Sequence, residues 1–300
     1  MPKGNNTLSI KTGFGDRIFD ISNYIFLGIC ALIALIPFYL VIISSFTSEK
    51  HILMDGYRLW PRELSILAYK YVLGKDSAVL NGYKISVVTT AIGTLCGVLV
   101  TSMYAYPASR RHVKYRNAIS LIAYIPVVFN GGVVPLYMVL VNLNLQDRLI
   151  GLIIPMLVAP MNVFLMLNYF RNLPEAVMES AKIDGANDYR TYLSIVLPMS
   201  GPVIATVALF IILQYWNEWF LALLIINDRK LYPLQYLLRQ IMARVSYVQN
   251  QAKEAMTAGS MPQESVKMAT VVVTIGPIIF VYPFIQKYFV KGITIGAIKG

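Results

Sequence analysis

Residues 171–186, RNLPEAVMESAKIDGA, form a polar stretch between two long apolar runs and carry clear helix start and stop signals. Pro174 suits the first position of a helix, and Glu175 complements the positive end of the helix dipole. Gly185 tolerates the left-handed conformation in which many helices end. The pattern therefore predicts a helix over 174–184.

The chain continues with NDYRTYLSIVLP, residues 187–198, for which we expect a second short helix. This helix should reach about Ile195, because the residue before a proline disfavours the helical conformation and Leu197-Pro198 should redirect the chain. Two short helices at an angle form a rigid knob outside the membrane. We call the whole segment, residues 171–201, the 171–201 loop.

Six apolar runs lie around this loop, and each reaches the roughly 20 residues that a helix needs to cross a lipid bilayer. They lie at 24–46, 85–107, 117–141, 149–170, 202–226 and 267–290. The sequence therefore predicts an all-α integral membrane protein with six transmembrane helices. The membrane domain should span 24–290, between an N-terminal arm at 1–23 and a C-terminal tail at 291–300.

The composition excludes an ordinary soluble protein. Of the 300 residues, 57% are hydrophobic and 14% are charged, and the mean hydropathy is +0.59. The net charge of +11 matches anionic lipid headgroups better than nucleic acid in so apolar a chain. Cys30 and Cys96 lie inside apolar runs, so neither a disulfide scaffold nor a zinc site is expected.

Orientation in the membrane should follow the distribution of Lys and Arg, but the 26 basic residues divide equally between the two sides. Short loops carry more weight in this rule, and the densest basic loop is 108–117. This loop favours cytoplasmic termini and places the 171–201 loop in the cytoplasm as well.

Several apolar runs contain helix-breaking residues. The third run contains Pro126, Asn130-Gly131-Gly132 and Pro135, the fourth Pro155 and Pro160, and the sixth Pro277 and Pro283. Broken backbone is tolerated in lipid only against protein or a water-filled cavity. The alternative is kinking that serves packing alone, but the joint occurrence in adjacent runs favours a transport pathway.

The fifth run contains a polar and aromatic cluster that is a candidate substrate path. Its members are Gln214, Tyr215, Trp216, Asn217 and Glu218, followed by Trp219. A carboxylate at mid-membrane depth should face the interior of the helix bundle, and indole faces beside amides suit a sugar. In the alternative interpretation, the indoles belong to an interfacial aromatic belt and Glu218 lies near the headgroups.

The 171–201 loop resembles the EAA motif of permease subunits of ATP-binding-cassette importers. The match runs through Glu179-Ser180-Ala181, Gly185 and Ile195-Val196-Leu197-Pro198, with serine replacing the usual middle alanine. Trp216-Asn217-Glu218 and the Asp184-Gly185-Ala186 extension are similar to the sugar-permease branch. Asn130-Gly131-Gly132 and the tail from Pro283 look most like the subgroup for aldouronate and alginate oligosaccharides.

The resemblance implies a permease subunit for an oligosaccharide released from a complex polysaccharide, in a bacterial cytoplasmic membrane. The residues implied in ATPase coupling are Glu179, Ser180, Ala181, Asp184, Gly185, Ala186, Leu197 and Pro198. Implied partners are a second homologous permease, a cytoplasmic ATPase dimer, an extracellular solute-binding protein and membrane lipid. The chain should bind no cofactor itself, because residues 73–76 lack the pattern of a phosphate-binding loop, so ATP and Mg belong to the ATPase.

Two extramembrane segments are candidates for partner contacts. The loop 47–84 holds Tyr57, Trp60 and Tyr69 and suits a folded ledge for a partner. The resemblance to maltose-type importers implies that Tyr247 to Pro262 contacts the solute-binding protein; the alternative is that this long run is simply mobile. An amphipathic stripe precedes the second segment and predicts a helix that packs on a neighbour or lies on the membrane. Its members are Leu234, Leu237, Leu238, Ile241, Met242 and Val245.

A stand-alone secondary transporter or channel is the alternative function. Such carriers usually need more spans and intramembrane titratable groups, whereas Glu218 is the only clear buried acid in the sequence. A membrane enzyme is less favoured still, because no catalytic dyad or metal-binding His-Glu-x-x-His pattern is present.

Overall fold

A computed structural model describes residues 14–74, 78–254 and 264–276, and within these ranges the chain is helical with no strand. The all-α prediction is therefore confirmed for the described residues. Two compact units are present. The described part of the N-terminal unit comprises 14–69 and 264–272, and that of the core unit comprises 70–74, 78–254 and 273–276.

The helices are numbered in chain order. They are α1 Phe14–Ser45, α2 Glu49–Asp55, α3 Leu67–Val72, α4 Ala78–Ser109, α5 Arg116–Val128, α6 Val133–Asn142, α7 Leu149–Ile153, α8 Pro160–Arg171, α9 Glu175–Ile183, α10 Asp188–Thr191, α11 Leu197–Met199, α12 Gly201–Trp216, α13 Phe220–Ile225, α14 Leu234–Glu254 and α15 over residues 264–276. A 3-10 turn continues α7 to Met156, a π turn at Tyr192–Val196 joins α10 to α11, and a 3-10 turn at Arg229–Leu231 precedes α14.

Two described helices, Gly15–Ser45 and Ala78–Ser109, are each long and apolar enough to cross a membrane alone. Three further apolar segments are pairs of helices joined at a sharp bend. They are α5 with α6 at 119°, Leu149–Met156 with α8 at 49°, and Asp188–Met199 with α12 at 81°. Counting each pair as one span gives up to five, and residues 277–290 of the sixth predicted run lie outside the described residues. The number of six spans stays a prediction.

Two of the bends coincide with the helix-breaking residues seen in the sequence. Between α5 and α6, Gly132 has a φ of +82° and donates its N–H to Asn130 Oδ1 at 2.8 Å. Before α8, Ala159 adopts the extended conformation that a following proline favours, and Pro160 then begins the helix. Pro126 lies inside α5 and does not end it.

The first helix differs from its predicted span. It begins at Phe14, ten residues before the apolar run at 24–46. The additional turns contain Asp16, Arg17 and Asp20, which lower the local hydropathy without opposing helix formation. Residues 14–23 of the predicted polar arm are therefore helical.

In the N-terminal unit, the loop after α1 is held in place by carboxylates. Glu49 accepts the backbone N–H groups of Glu264 and Ser265 at 2.8 Å each, at the beginning of α15. Asp55 forms ion pairs with Arg58 at 3.1 Å and Arg62 at 3.2 Å. Residues 47–69 of the expected ledge belong to the N-terminal unit, whereas 70–74 and 78–84 belong to the core unit.

The core unit is organised around α4, which packs against α8, α12 and α14. Glycines on α4 allow the close approach of its neighbours. A Cβ at Gly82 would meet Leu234 and Leu237 of α14, and a Cβ at Gly93 would overlap the ring of Tyr215 on α12. Close van der Waals packing at these contacts, which the small glycines permit, stabilises the unit in lipid.

The amphipathic stripe after the fifth run forms α14, as the periodicity predicts. Leu234, Leu237 and Leu238 are buried, so the first turns of the helix pack on the core unit. Met242 and Tyr247 are exposed. Residues 255–262 of the candidate partner contact lie outside the described residues.

We predict that Gly93→Ala destabilises the core unit. The added methyl would overlap the ring of Tyr215, which cannot swing away easily because its hydroxyl donates to the Ile153 carbonyl at 2.7 Å. The expected loss is about 1–3 kcal/mol of unfolding free energy. Thermal unfolding of the detergent-solubilised protein, followed by tryptophan fluorescence, measures it.

The matched control is Gly28→Ala, where the added Cβ has no atom within 4 Å. This change should leave the melting temperature unchanged or raise it slightly, because alanine favours a helix interior. Equal melting temperatures for Gly93→Ala and the wild type would contradict the packing described for α4 and α12.

Candidate functional site

The first helix of the 171–201 loop is α9, Glu175–Ile183, which matches the predicted 174–184 to within one residue at each end. Gly185 has a φ of +77°, as expected for a left-handed helix stop. The N–H of Ala186 reaches back to the Ala181 carbonyl at 2.9 Å and closes the final turn.

The second helix of the loop continues further than the sequence predicts. Asn187 begins it, since its Oδ1 accepts the Arg190 N–H at 2.8 Å. The helix passes through a π turn and continues past Pro198 to Met199, so the chain turns at Ser200. Pro198 directly follows the π turn, and such a local change of hydrogen-bond pattern accommodates a residue without an N–H.

The residues implied in coupling divide between two faces of the loop. Glu179, Ser180, Asp184, Gly185 and Pro198 are exposed, Ala181 is buried, and Ala186 and Leu197 are partly buried. Exposed apolar side chains extend the outer face. They are Ile183, which is 86% exposed, Tyr189 and Leu193. An exposed surface of mixed apolar and acidic character suits protein docking.

Arg110, which directly follows α4, holds α9 against the rest of the core unit. The side chain is 8% exposed, and its Nη2 donates to the Phe170 carbonyl at 2.6 Å. Its Nε donates to Ser109 Oγ at 3.0 Å, and its Nη1 contacts Met178 Sδ on α9. The guanidinium carbon lies 5.2 Å from the Tyr106 ring centroid. One buried cation thus joins α4, α8 and α9.

The position of Arg110 explains how a buried charge is tolerated. Phe170 lies in the last turn of α8, where its carbonyl accepts the Leu173 N–H only at 3.4 Å and a cation complements the helix dipole. Burial lowers the pKa of the Arg110 guanidinium, but arginine remains charged at physiological pH. In the sequence, Arg110 served only to predict the orientation of the chain in the membrane. Its contacts with α8 and α9 were missed because Phe170 and Met178 lie 60 and 68 positions away in sequence.

A second contact between α4 and the loop is provided by Tyr192. Its hydroxyl lies 2.7 Å from Ser102 Oγ, and its ring lies 5.1 Å from the Tyr106 ring. Tyr192 is buried in the π turn. Both helices of the 171–201 loop are therefore fixed to α4 by buried side chains.

Beside these contacts is a cavity of about 230 Å³ with a lining of mixed charge. Arg111 pairs with Glu175 at 3.2 Å, and His112 lies 3.3 Å from Asp188. Lys182 Nζ is 3.5 Å from His112. These groups are exposed and contribute little to stability individually.

The candidate substrate residues lie around a break in the fifth apolar run. Helix α12 ends at Trp216 and α13 begins at Phe220. Tyr215 and Trp216 are buried, Gln214 and Glu218 are partly buried, and Asn217 is exposed. Trp216 and Tyr215 thus pack inside the core unit, and the polar side chains of the break itself are the accessible ones.

Glu218 causes the chain to resume a helix after the break. Its Oε1 accepts the Leu221 N–H at 2.5 Å, which satisfies a donor at the start of α13 and places negative charge at the positive helix end. Asn217 Nδ2 donates to the Leu213 carbonyl at 2.8 Å, and Asn217 Oδ1 accepts from Gln235 Nε2 at 3.4 Å. The polar pair therefore stabilises a broken helix, which the apolar run alone did not predict.

A hydrogen-bonded junction at Asp147, missed in the sequence, holds the loop after α6 against the loop after α13. The Asp147 carboxylate accepts the backbone N–H of Asn227 at 2.5 Å and that of Asp228 at 2.9 Å. These hydrogen bonds lower the pKa of Asp147. The contribution of the Asp147 carboxylate to stability is complete above the ordinary carboxyl pKa. This contribution is lost as the pH falls through the lowered pKa of Asp147.

In the part of the chain that the structure describes, no group of His, Cys, Asp and Glu side chains is arranged to hold a metal ion. Cys30 and Cys96 are free thiols.

Comparison with known proteins identifies the family of this chain. Residues 93–295 match the family model "Binding-protein-dependent transport system inner membrane component". The chain is 38% identical to Protein LplC of Bacillus subtilis over 95% of its length and 96% of that protein. It is also 38% identical to the polygalacturonan/rhamnogalacturonan transport system permease protein YtcP of Bacillus subtilis, over 95% of this chain and 99% of that protein.

A solved structure agrees with the sequence relationships. It is a chain of a bacterial ABC transporter involved in the import of the acidic polysaccharide alginate, with a TM-score of 0.80 and 29% identity. The similarity covers 92% of this chain and 98% of that one. The chain therefore belongs to the family of inner membrane components of binding-protein-dependent transport systems.

Proposed function

We propose that this chain is one of two transmembrane subunits of an ATP-driven importer for oligosaccharides released from complex polysaccharides. Family membership supports the transport role, and the names of similar proteins with polygalacturonan and alginate substrates support the carbohydrate class. An extracellular solute-binding protein would deliver the sugar. A second permease subunit would complete the pathway.

The observation that carries this proposal is the exposed outer face of α9 on a loop whose inner face is fixed by Arg110. In the proposal, the ATPase dimer binds ATP and Mg and docks against Glu179, Asp184 and Gly185. Arg110 then transmits the displacement of α9 to α4 and α8, because its contacts with all three helices are buried. The outer face also presents the large apolar side chain of Ile183.

The proposed topology has six transmembrane spans with both termini and the 171–201 loop in the cytoplasm. The basic loop after α4 supports this orientation under the positive-inside rule. The predicted sixth span at 267–290 would return the chain to the cytoplasm, where the tail at 291–300 would contact the ATPase dimer.

For the substrate path, we propose that Asn217 and Glu218 line the route and that Gln214, Tyr215 and Trp216 support it. The broken backbone between α12 and α13 is the supporting feature, since irregular backbone at membrane depth occurs against protein or a water-filled cavity. The amide and carboxylate could replace hydrogen bonds that a sugar loses when it leaves water.

The docking proposal predicts that Ile183→Lys abolishes sugar uptake while assembly in the membrane is retained. Ile183 is 86% exposed, so the change should cost little folding free energy, but a buried unpaired lysine at the docked interface should weaken association strongly. The measurement is co-purification of the ATPase with the importer, together with substrate-stimulated ATP hydrolysis in proteoliposomes.

Ser180→Ala is the control on the same helix. Its hydroxyl bonds only to the Ala176 carbonyl of α9 at 3.0 Å, and alanine restores the Glu-Ala-Ala pattern of the resembling motif. We expect normal coupling in this variant. Normal ATPase stimulation in Ile183→Lys would exclude this face as the docking site.

A further prediction concerns the transmission of movement through Arg110. Arg110→Lys keeps the charge but loses the planar fork that serves Ser109 and Phe170 together. We expect reduced coupling, seen as ATP hydrolysis that no longer responds to the sugar-loaded binding protein. Melting temperatures should fall as well, since hydrogen bonds that involve a charged group are worth about 1.5–3 kcal/mol each.

Arg111→Lys provides the comparison, because Arg111 forms only an exposed ion pair with Glu175. Sugar-responsive hydrolysis that survives in Arg110→Lys at the wild-type level would show that movement reaches α4 by another route.

The substrate-path proposal is tested with Glu218→Gln. Glutamine retains an oxygen that can accept the Leu221 N–H, so α13 should still form, but the negative charge is removed. We expect an altered preference among oligosaccharides with a loss of at most about 1 kcal/mol of stability, because the helix-end charge is removed while the hydrogen bond is retained. Glu218→Leu should in addition lose about 1 kcal/mol of stability through loss of the helix cap. Uptake of every sugar at the wild-type rate in Glu218→Gln would reject the path assignment.

A further inference from the structure

The break between α12 and α13 faces an arginine of α14 that has no part in the proposed function. Arg239 lies with its guanidinium carbon 3.4 Å from the Trp219 ring centroid. One turn earlier on α14, Gln235 bonds to Asn217 across the break at 3.4 Å. We call these four residues, Asn217, Trp219, Gln235 and Arg239, the Arg239 cluster.

The stacking geometry prepares Arg239 to bind an anion. A guanidinium carbon at 3.4 Å from a ring centroid is in face contact with the indole, and such stacking leaves the in-plane N–H groups free to donate. The Arg239 side chain is exposed. Among the ion pairs of the described residues, none includes Arg239.

Neighbouring contacts hold the cluster in this arrangement. Trp219 also packs edge-on against Phe220, with ring centroids 5.6 Å apart. Glu218, which lies between Asn217 and Trp219 in sequence, accepts the Leu221 N–H. The guanidinium is thereby positioned by an aromatic ring while its donors remain available to a ligand.

A planar fork of N–H donors matches a carboxylate, which it can bind with two parallel hydrogen bonds. The adjacent amides of Asn217 and Gln235 are of the kind that bind sugar hydroxyls. A sugar whose terminal CH2OH group is oxidised to a carboxylate is a uronic acid. The transporter with the similar structure is involved in the import of alginate, an acidic polysaccharide. The similar protein YtcP belongs to a transport system for polygalacturonan, which is a polymer of a uronic acid.

We propose that the Arg239 cluster binds the carboxylate of a uronic-acid unit of the transported oligosaccharide. This proposal rests on the proposed function as an oligosaccharide importer. Arg239 is the specificity-determining residue, and Trp219 is a positioning residue that holds the guanidinium.

The test is equilibrium binding of a radiolabelled galacturonate disaccharide and of its neutral methyl ester to the assembled importer without solute-binding protein. The wild type should bind the acid about tenfold or more tightly than the ester. Arg239→Gln should bind the two forms equally, and Arg239→Lys should retain part of the preference. Arg229→Gln, which removes another exposed arginine before α14, is the matched control and should behave as wild type.

Equal binding of acid and ester by the wild type, or an unchanged preference in Arg239→Gln, would overturn the assignment. A lipid phosphate offers similar acceptors, so melting temperatures are also measured with and without phosphatidylglycerol. Stabilisation by this lipid that disappears in Arg239→Gln while sugar preference persists would assign the cluster to headgroup binding. Failure of the proposed function would appear differently, as absence of uptake of either sugar by the complete wild-type importer.

Discussion

The buried guanidinium of Arg110 is the contact on which the proposed coupling depends. It satisfies a carbonyl at the end of α8, touches Met178 on α9 and lies directly after α4. A buried charge is costly unless it is fully paired, so this arrangement has few alternatives of similar energy. The inner face of α9 is held for this reason, and its outer face remains free for a partner.

Helix α4 connects the two candidate sites of the core unit. One end carries the contacts to the 171–201 loop through Ser102, Tyr106 and Arg110. Toward the other end, the ring centroids of Tyr83 and Trp216 lie 6.3 Å apart, and the ring of Tyr215 packs directly against Gly93. Since interiors are close-packed, a displacement of one end of such a helix is carried to its neighbours rather than absorbed. The proposed coupling depends on this property of α4.

Local signals predicted the parts of the structure that depend on neighbouring residues in sequence. Pro174 and Gly185 predicted the ends of α9, and the apolar stripe from Leu234 predicted the packed turns of α14. The sequence could not predict the Arg110 contacts or the Asp147 junction, which join distant parts of the chain. The break after Trp216 was also missed, because hydropathy does not reveal that Glu218 accepts an N–H of the first turn of a new helix.

The central claim is that α9 and α4 move as one body during transport. After Cys30 and Cys96 are replaced by alanine, spin labels at exposed Ala176 on α9 and exposed Met103 on α4 report their separation by double electron–electron resonance. Movement as one body predicts the same distance distribution in the nucleotide-free and ATP-bound importer. A distance that changes on ATP binding would contradict the claim, because α9 would then move independently of the helix to which Arg110 joins it.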